Sequence, residues 1–503
     1  MISFSRFTPA SSVVQLKDVF FVILLLLVLE QVIYRYKKRQ LPGDTWTIPV
    51  IGKFADSLHL TLENYKRQWD SGPLSVVSVF NIFIVMSSSS EYSHKIMNSP
   101  NYAEPALVHS AKKVMVDDNW IFLMSKVHHE YRRGLNTLFT RRALGIYLKQ
   151  MDATTRKHLA QWLVDASQDP TPKSIMTTVC ALNMNNSLRV FCGPHISEAA
   201  AQEILEKYWM ITVALELVNF PFAIPGTKVY RAIQARKVAM RHLEHAAASS
   251  KQEMATGAEP VCMLDHWVVA LRDPAHKGRR DFSDREMAMV LFSFLFASQD
   301  AMSSGLIYGF QHLADHPDFL LKVRAEQEKV RGGDCDKPVT LEMMDDMPYL
   351  RAFVKESLRV MPPVTMVPFR ATKAFPITDD YTVPARSLVI PSYYNSLHDP
   401  EVYPDPDALI PDRWLDPNSS ANTNPRYYLG FGSGAHRCIG MEYAMMNIAL
   451  VLADAAVLMD WEHHRSAESD KVQIIATLFP KDGYKLKFSP RERGGELPNE
   501  IRV

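Results

Sequence analysis

Net charge is nearly absent from this chain: 56 Lys and Arg stand against 55 Asp and Glu, a formal balance of +1. No strong overall field therefore recruits nucleic acid or an acidic partner, although a local basic face remains open. Paired cysteines are missing too. The five, at 180, 192, 262, 335 and 438, lie far apart with no Cys-x-x-Cys, which argues against structural zinc and against a disulfide framework and places the globular part in a reducing compartment. A full-length apolar span is also lacking near the N-terminus. Val19 to Leu29 is wholly apolar, but a bilayer core needs about 20 helical residues, and the run resumes at Val32–Tyr34 only after Glu30 and Gln31. What is present, 503 residues with 47% hydrophobic and 22% charged, suffices for a large globular core.

The basic cluster Arg35, Lys37, Lys38, Arg39 follows the apolar run, against only Arg6 and Lys17 before it. The positive-inside rule sets that cluster and all that follows on the cytosolic side. No small-x-small cleavage site follows, so an anchor is favoured over a cleaved signal or a buried helix. The organisation read from this is an N-terminal lumenal segment at 1–18, a single-pass anchor at 19–34, a basic and Pro/Gly linker at 35–45, a catalytic domain at 46–490 and a polar tail at 491–503. Val76–Val79 and Ile82–Met86 read as strands, and Val127–Leu138 and Val229–Ser249 as helices, the latter basic and amphipathic.

Two regions carry chemistry. In FGSGAHRCIG, 431–440, glycines allow a tight turn that presents Cys438 ahead of an apolar periodic helix, Met441–Leu458. The positive pole of that helix would favour a thiolate, which is what an axial ligand to haem iron requires. Farther upstream, Ser283 and Glu286 form a capping box for a long apolar helix running to His316 before Pro317. Ser298, Gln299 and Asp300 interrupt it, and polar groups in such a helix are costly unless paired or turned to a cavity.

The loop resembles the haem-binding Phe-x-x-Gly-x-x-x-Cys-x-Gly pattern of the cytochrome P-450 superfamily, with Phe431, Gly434, Cys438 and Gly440 at its fixed positions. The resemblance implies a mainly α fold with small β-sheets and heme b held by an axial Cys438 thiolate. It also implies use of O2 and of NADPH electrons through a separate membrane-bound reductase, with cytochrome b5 as a further partner. Lys126, Arg132, Arg133 and Arg437 are candidates for the reductase-facing surface. KESLR supplies the family's Glu-x-x-Arg as Glu356 and Arg359, with Arg413 as third member of a buried structural triad. His128 and Arg132 stand where the family has Trp and Arg. With His436 and Arg370 they are the expected haem-propionate contacts, and Phe431, Gly432 and Gly440 border the cofactor.

Ala297-Ser298-Gln299-Asp300-Ala301 resembles the oxygen-activation segment but lacks its usual Thr, so Asp300, Ser298, Ser303 and Ser304 are the candidate proton-handling residues. Phe294, Ala297, Val364, Thr365, Met366, Val367, Leu478 and Phe479 are expected to line the substrate pocket. The break at Phe220, Pro221, Pro225 and Gly226 corresponds to the family's membrane-facing lid. FLFASQDA, PPVTMVPFRATKAFPITDDYTVP and HDPEVYPDPD resemble stretches of the fungal sterol C-22 desaturases of ergosterol synthesis. That resemblance implies a side-chain desaturase in the endoplasmic reticulum membrane. A sterol or fatty-acid hydroxylase and a non-catalytic haem- or lipid-binding protein are the alternatives.

Overall fold

The computed structural model describes residues 16–54, 61–107, 109–214, 222–273, 281–475 and 477–491. Most of residues 1–18, the tail after 491, and Phe220 and Pro221 of the expected lid lie outside the described residues. Helices dominate, and the principal ones are α1 (Leu16–Lys38), α2 (Ser125–Leu135), α3 (Arg141–Gln168), α4 (Met176–Cys192), α5 (Glu198–Thr212), α6 (Lys228–Ala255), α7 (Asp284–Asp315), α8 (Pro348–Val360) and α9 (Met441–Leu458). The strands expected at 76–79 and 82–86 are present as β1 (Leu74–Val79) and β2 (Ile82–Ser87).

Helix α7 is the axis of the domain. Its 32 residues span roughly 48 Å at 1.5 Å per residue. Ser283 accepts from the Glu286 N–H, and Glu286 caps the Ser283 N–H in return, as the sequence predicts. Gly305 and Gly309 face α8 and α9. A methyl at 305 would press on Leu358 and Ile448, and one at 309 on Leu452, so the two glycines set the distance at which these helices pack. The large core they share includes Phe292, Phe310, Leu350, Phe353, Leu450 and Leu452, each worth about 1.5–3 kcal/mol when fully buried.

A five-stranded sheet sits beside the helices, ordered β1, β2, β6, β5, β3, with β3 at Ala103–Pro105, β5 at Phe369–Ala371 and β6 at Leu388–Pro391, while the short β4 at Lys173–Ser174 belongs to a separate three-stranded sheet. Its register pairs Ile84 with Leu388 in the parallel β2–β6 contact and Arg370 with Leu388 in the antiparallel β5–β6 contact. Strand β5 thereby ties the chain leaving α8 into this sheet.

Three described helices are long and apolar enough to cross a membrane, but burial separates them. The most apolar stretches of α7 and α9 are 78% and 72% buried inside the domain, whereas that of α1 is 11% buried. Helix α1 is the candidate membrane anchor.

Candidate active site

Helix α7, the Cys438 loop and the start of α9 enclose one cavity of about 290 Å³. From α7 it receives Phe294, Ala297, Ser298, Ala301 and Met302, whose i, i+3, i+4, i+7, i+8 spacing is one helix face. The opposite wall is Phe431, Gly432, His436, Cys438, Ile439 and Gly440, followed by Tyr443, Ala444 and Ile448 one and two turns into α9. These last three went unpredicted, yet their helical spacing from Gly440 was a readable signal. Val364 and Val367 close one side.

Backbone geometry explains how the loop presents its thiol. Cys438 N–H donates to the Phe431 carbonyl at 2.9 Å, which closes the turn. Gly434 has φ +70°, and a side chain there would collide with the Met97 carbonyl, so the loop lies flat only with glycine. Cys438 then opens into the cavity and is otherwise enclosed. Burial pushes its thiol above the ordinary value, and the Gly440 N–H, Arg132 and Arg437 offset part of that. Coordination to a metal ion deprotonates such a thiol outright.

At the cavity edge the His436 and His128 rings stack at 4.0 Å, and Trp120 stacks on His128 at 6.1 Å. Burial, then the neighbouring His128 and Arg132, lowers His436 to about 4; burial and Arg132 also lower His128. Arg132, on α2, donates to the Arg437 carbonyl, which ties α2 to the cysteine loop. Arg370 is not brought to the cavity wall: its side chain is exposed on β5 between buried Phe369 and Ala371. Of the four basic residues expected to face a reductase, Lys126, Arg133 and Arg437 are exposed and Arg132 is half-buried.

The residues fit a flat iron porphyrin. A single thiol stands in an otherwise mainly apolar chamber whose walls carry Ala297, Ala301, Gly432, Gly440 and Ala444, all small enough to admit a planar group. Among the described residues a second His/Cys/Asp cluster, His195, Cys262 and Asp265, is buried elsewhere. Asp265 there accepts from His195 at 2.7 Å, Ser250 at 2.6 Å and the Val261 N–H at 3.2 Å, so it reads as a hydrogen-bond network.

The polar interruption of α7 divides by side. Of the four candidate proton-handling residues, only Ser298 lines the cavity, with Ser187 of α4 behind it at 3.2 Å between hydroxyl oxygens. Asp300 lies two residues on, about 200° round the helix, and faces away. Its carboxylate accepts from Thr212 at the end of α5 at 3.0 Å, and burial raises it to about 7. Ser303 donates to the Gln299 carbonyl and Ser304 to the Leu478 carbonyl, each at 2.5 Å, so neither hydroxyl is turned to the cavity. Asn183 of α4 donates to the Gln299 carbonyl at 3.0 Å and accepts from Asn447 of α9 at 3.2 Å, a cross-helix link that no local pattern announced.

The other pocket expectations also divide. Phe294, Ala297, Val364 and Val367 line the cavity, whereas Thr365 is buried with its carbonyl accepting the Tyr393 N–H at 2.7 Å, and Met366 packs in a separate cluster around Trp69. Leu478 and Phe479 are each 1% exposed in the main core. Leu478 N–H donates to the Pro363 carbonyl at 3.0 Å, so this loop braces the wall from outside.

The triad is assembled as the motif predicts. Arg359 Nε and Nη2 reach Glu356 at 2.9 Å each, and Arg413 Nε reaches it at 2.9 Å. Sequence reasoning missed two further donors to the same carboxylate, Trp414 Nε1 at 2.8 Å and the Ile410 N–H at 3.0 Å.

With this geometry in hand, comparison with known proteins is specific. The family model described as Cytochrome P450 matches residues 44–488. The chain is 41% identical over 471 residues to "C-22 sterol desaturase erg5" of Aspergillus fumigatus, covering 90% of each protein. It is 37% identical to "C-22 sterol desaturase ERG5" of Saccharomyces cerevisiae, covering 97% of this chain and 93% of that one. It is 40% identical to "Cytochrome P450 monooxygenase oblE" of Emericella variicolor, covering 92% and 90%. The solved structure "Retinoic acid bound cyanobacterial CYP120A1" shares the fold, with TM-score 0.78 at 22% identity over 90% of this chain and 99% of that one.

Proposed function

The chain belongs to the cytochrome P450 family, and from that premise we propose that it is a sterol C-22 desaturase. Family membership brings haem with Cys438 as its thiolate ligand, O2, and electrons delivered by a reductase. The observation that carries the finer reading is the near full-length likeness, at 37–41% identity, to relatives named C-22 sterol desaturases in several fungi. When bound, thiolate-ligated haem supplies the activation of dioxygen needed to attack unactivated C–H bonds.

The protein's own share follows from the cavity. Phe294, Val364 and Val367 offer apolar contacts to a sterol side chain and exclude water around it. Arg132, His128 and His436 would hold the propionate edge, and Ser298 is the α7 hydroxyl placed to hold a proton on the cavity side. Desaturation removes one hydrogen from each of two neighbouring carbons, while O2 takes two electrons from NADPH and two protons and leaves as two water molecules. The partners in this reading are a sterol, an NADPH-cytochrome P-450 reductase and cytochrome b5. The location is the endoplasmic reticulum membrane, through a single-pass anchor in α1 with the catalytic domain cytosolic. A second reading, a monooxygenase that leaves an alcohol, is favoured by the equal likeness to the Emericella protein.

The experiment is incubation of the full chain with membrane sterols, reductase and NADPH, followed by mass analysis of the side chain. A 22,23 double bond is expected. A side-chain alcohol as the sole product would replace the desaturase with a hydroxylase. Cys438→Ser is expected to lose both the product and the thiolate-type spectrum of the reduced carbonyl complex.

A further inference from the structure

Glu30 and Gln31 are the two polar residues that interrupt the apolar helix α1; Gln31 is buried, Glu30 is half-buried, and both are hydrogen-bonded to the segment that follows the helix. Both Glu30 carboxylate oxygens accept from the Val50 N–H, at 2.8 and 3.0 Å. Gln31 accepts from the Thr47 N–H at 3.1 Å and donates to the Thr47 hydroxyl at 3.2 Å. One turn on, the Tyr34 hydroxyl donates to the Asp44 carbonyl at 3.1 Å and Arg35 to the Thr45 carbonyl at 3.2 Å. Segment 44–50 therefore doubles back along the helix. The covered positions, Gln31 and Tyr34 with Leu27 and Glu30 partly so, fall at helical spacing on one face.

The far end of the segment is fixed to the sheet. Gly52 has φ +62°, and a side chain there would collide with the Ser78 carbonyl of β1. Lys53 N–H donates to that carbonyl at 2.8 Å, Phe80 N–H to the Ile51 carbonyl at 3.2 Å, and the Phe54 and Phe80 rings lie 4.5 Å apart. The segment and the adjoining β1–β2 turn expose large apolar side chains: Trp46, Ile48, Val50, Ile51 and Phe80 are 65%, 57%, 50%, 43% and 49% exposed. An exposed apolar patch of this kind marks a partner.

We propose that residues 44–52 form a membrane-seated clasp: Glu30 and Gln31 hold its backbone, and Trp46, Ile48, Val50, Ile51 and Phe80 rest in the lipid at the headgroup boundary, fixing the catalytic domain to the anchor at one orientation. The proposal rests on the reading of α1 as a membrane anchor. Lipid is the occupant because the clasp is hydrogen-bonded to the end of α1, whose apolar residues are largely exposed, and so stands where that helix leaves the bilayer. Trp46 lies under the Arg35 guanidinium, 3.7 Å from its ring, beside Lys37, Lys38 and Arg39, the pairing of aromatic and basic residues found at a membrane interface. The arrangement also removes a difficulty in the sequence. A carboxylate and an amide within an apolar span are costly unless satisfied inside the protein. Here the clasp supplies hydrogen-bond partners for both side chains.

The test uses the full chain reconstituted in phosphatidylcholine vesicles whose acyl chains are brominated near the headgroup, with tryptophan emission as readout. Quenching in the parent is expected to exceed that in Trp46→Phe, and the difference reports Trp46 alone. Glu30→Ala with Gln31→Ala is expected to stay with the vesicles through α1 but to lose at least half of the Trp46-dependent quenching. Ile48→Asp with Val50→Asp, which leaves every backbone hydrogen bond in place, is expected to do the same, with unchanged circular dichroism as the folding control. Vesicle-bound parent protein whose Trp46 emission ignores the bromine would overturn the clasp and leave the anchor standing. Failure of the parent to remain with vesicles would overturn the anchor reading and the clasp with it.

Discussion

Replacing Glu356 with Gln keeps the shape of the side chain and removes its charge beneath the cavity. The carboxylate is wholly buried, as is Arg359, and Arg413 is 8% exposed. Its two oxygens take five N–H donors: Oε1 accepts from Arg359 Nη2, Arg413 Nε and Ile410 N, and Oε2 from Arg359 Nε and Trp414 Nε1. An amide nitrogen in either place meets donors instead of accepting them, so even the better flip strands two. Two guanidiniums also lose their counter-charge, although Arg359 keeps the carbonyls of Leu397, Pro406 and Ala408. Breaking a buried pair in this way costs about 3–5 kcal/mol. Unfolding entropy near 2 cal/mol/K per residue, taken over residues 44–488, amounts to roughly 0.9 kcal/mol/K, so the midpoint falls by about 3–5 °C. The assay is loss of the thiolate-type haem spectrum on heating. Asp345→Asn, which removes an exposed partner of Arg141, serves as the control and is expected to leave the midpoint where it was. Equal midpoints for Glu356→Gln and that control would refute the claim that this carboxylate locks the scaffold.

Two further outcomes follow from the site. Gly434→Ala places a side chain at φ +70° against the Met97 carbonyl, a left-handed cost of roughly 1–2 kcal/mol before the collision is counted, and is expected to abolish haem uptake by a chain that still expresses; full haem content on purification would contradict the loop geometry. Burial raises Asp300 to about 7, so the native state keeps a proton that the unfolded chain releases near 4, and stability falls as pH rises between those values. Asp300→Asn should therefore flatten the thermal midpoint across that interval, and an unchanged slope would show that Asp300 does not titrate there.

The cysteine loop, the Glu-x-x-Arg pair, the capped axis and the first two strands were legible because each is written in neighbouring residues: a fixed spacing, a cap, an alternation. Asp300 shows the limit of that. Its place in the oxygen-activation segment is local information, but the side it faces depends on where Thr212 of α5 lands, 88 positions away. Leu478 is similar, since its loop reads as a pocket wall until its hydrogen bond to Pro363 sets it behind that wall.

Residue order alone was enough to place a thiol on a glycine turn before a helix, to give a long apolar axis a few polar residues, and to set an apolar helix ahead of the domain. Chain folding decided which of those polar residues meets the cavity: helical phase turned Ser298 inward, while Ser303 and Ser304 took backbone partners and Asp300 took Thr212. It also turned Glu30 and Gln31, two blemishes in a hydrophobic run, into the grip on residues 47–50. The reason is the same in each case. A polar group's partner is chosen by proximity in space, and only packing of distant segments creates that proximity.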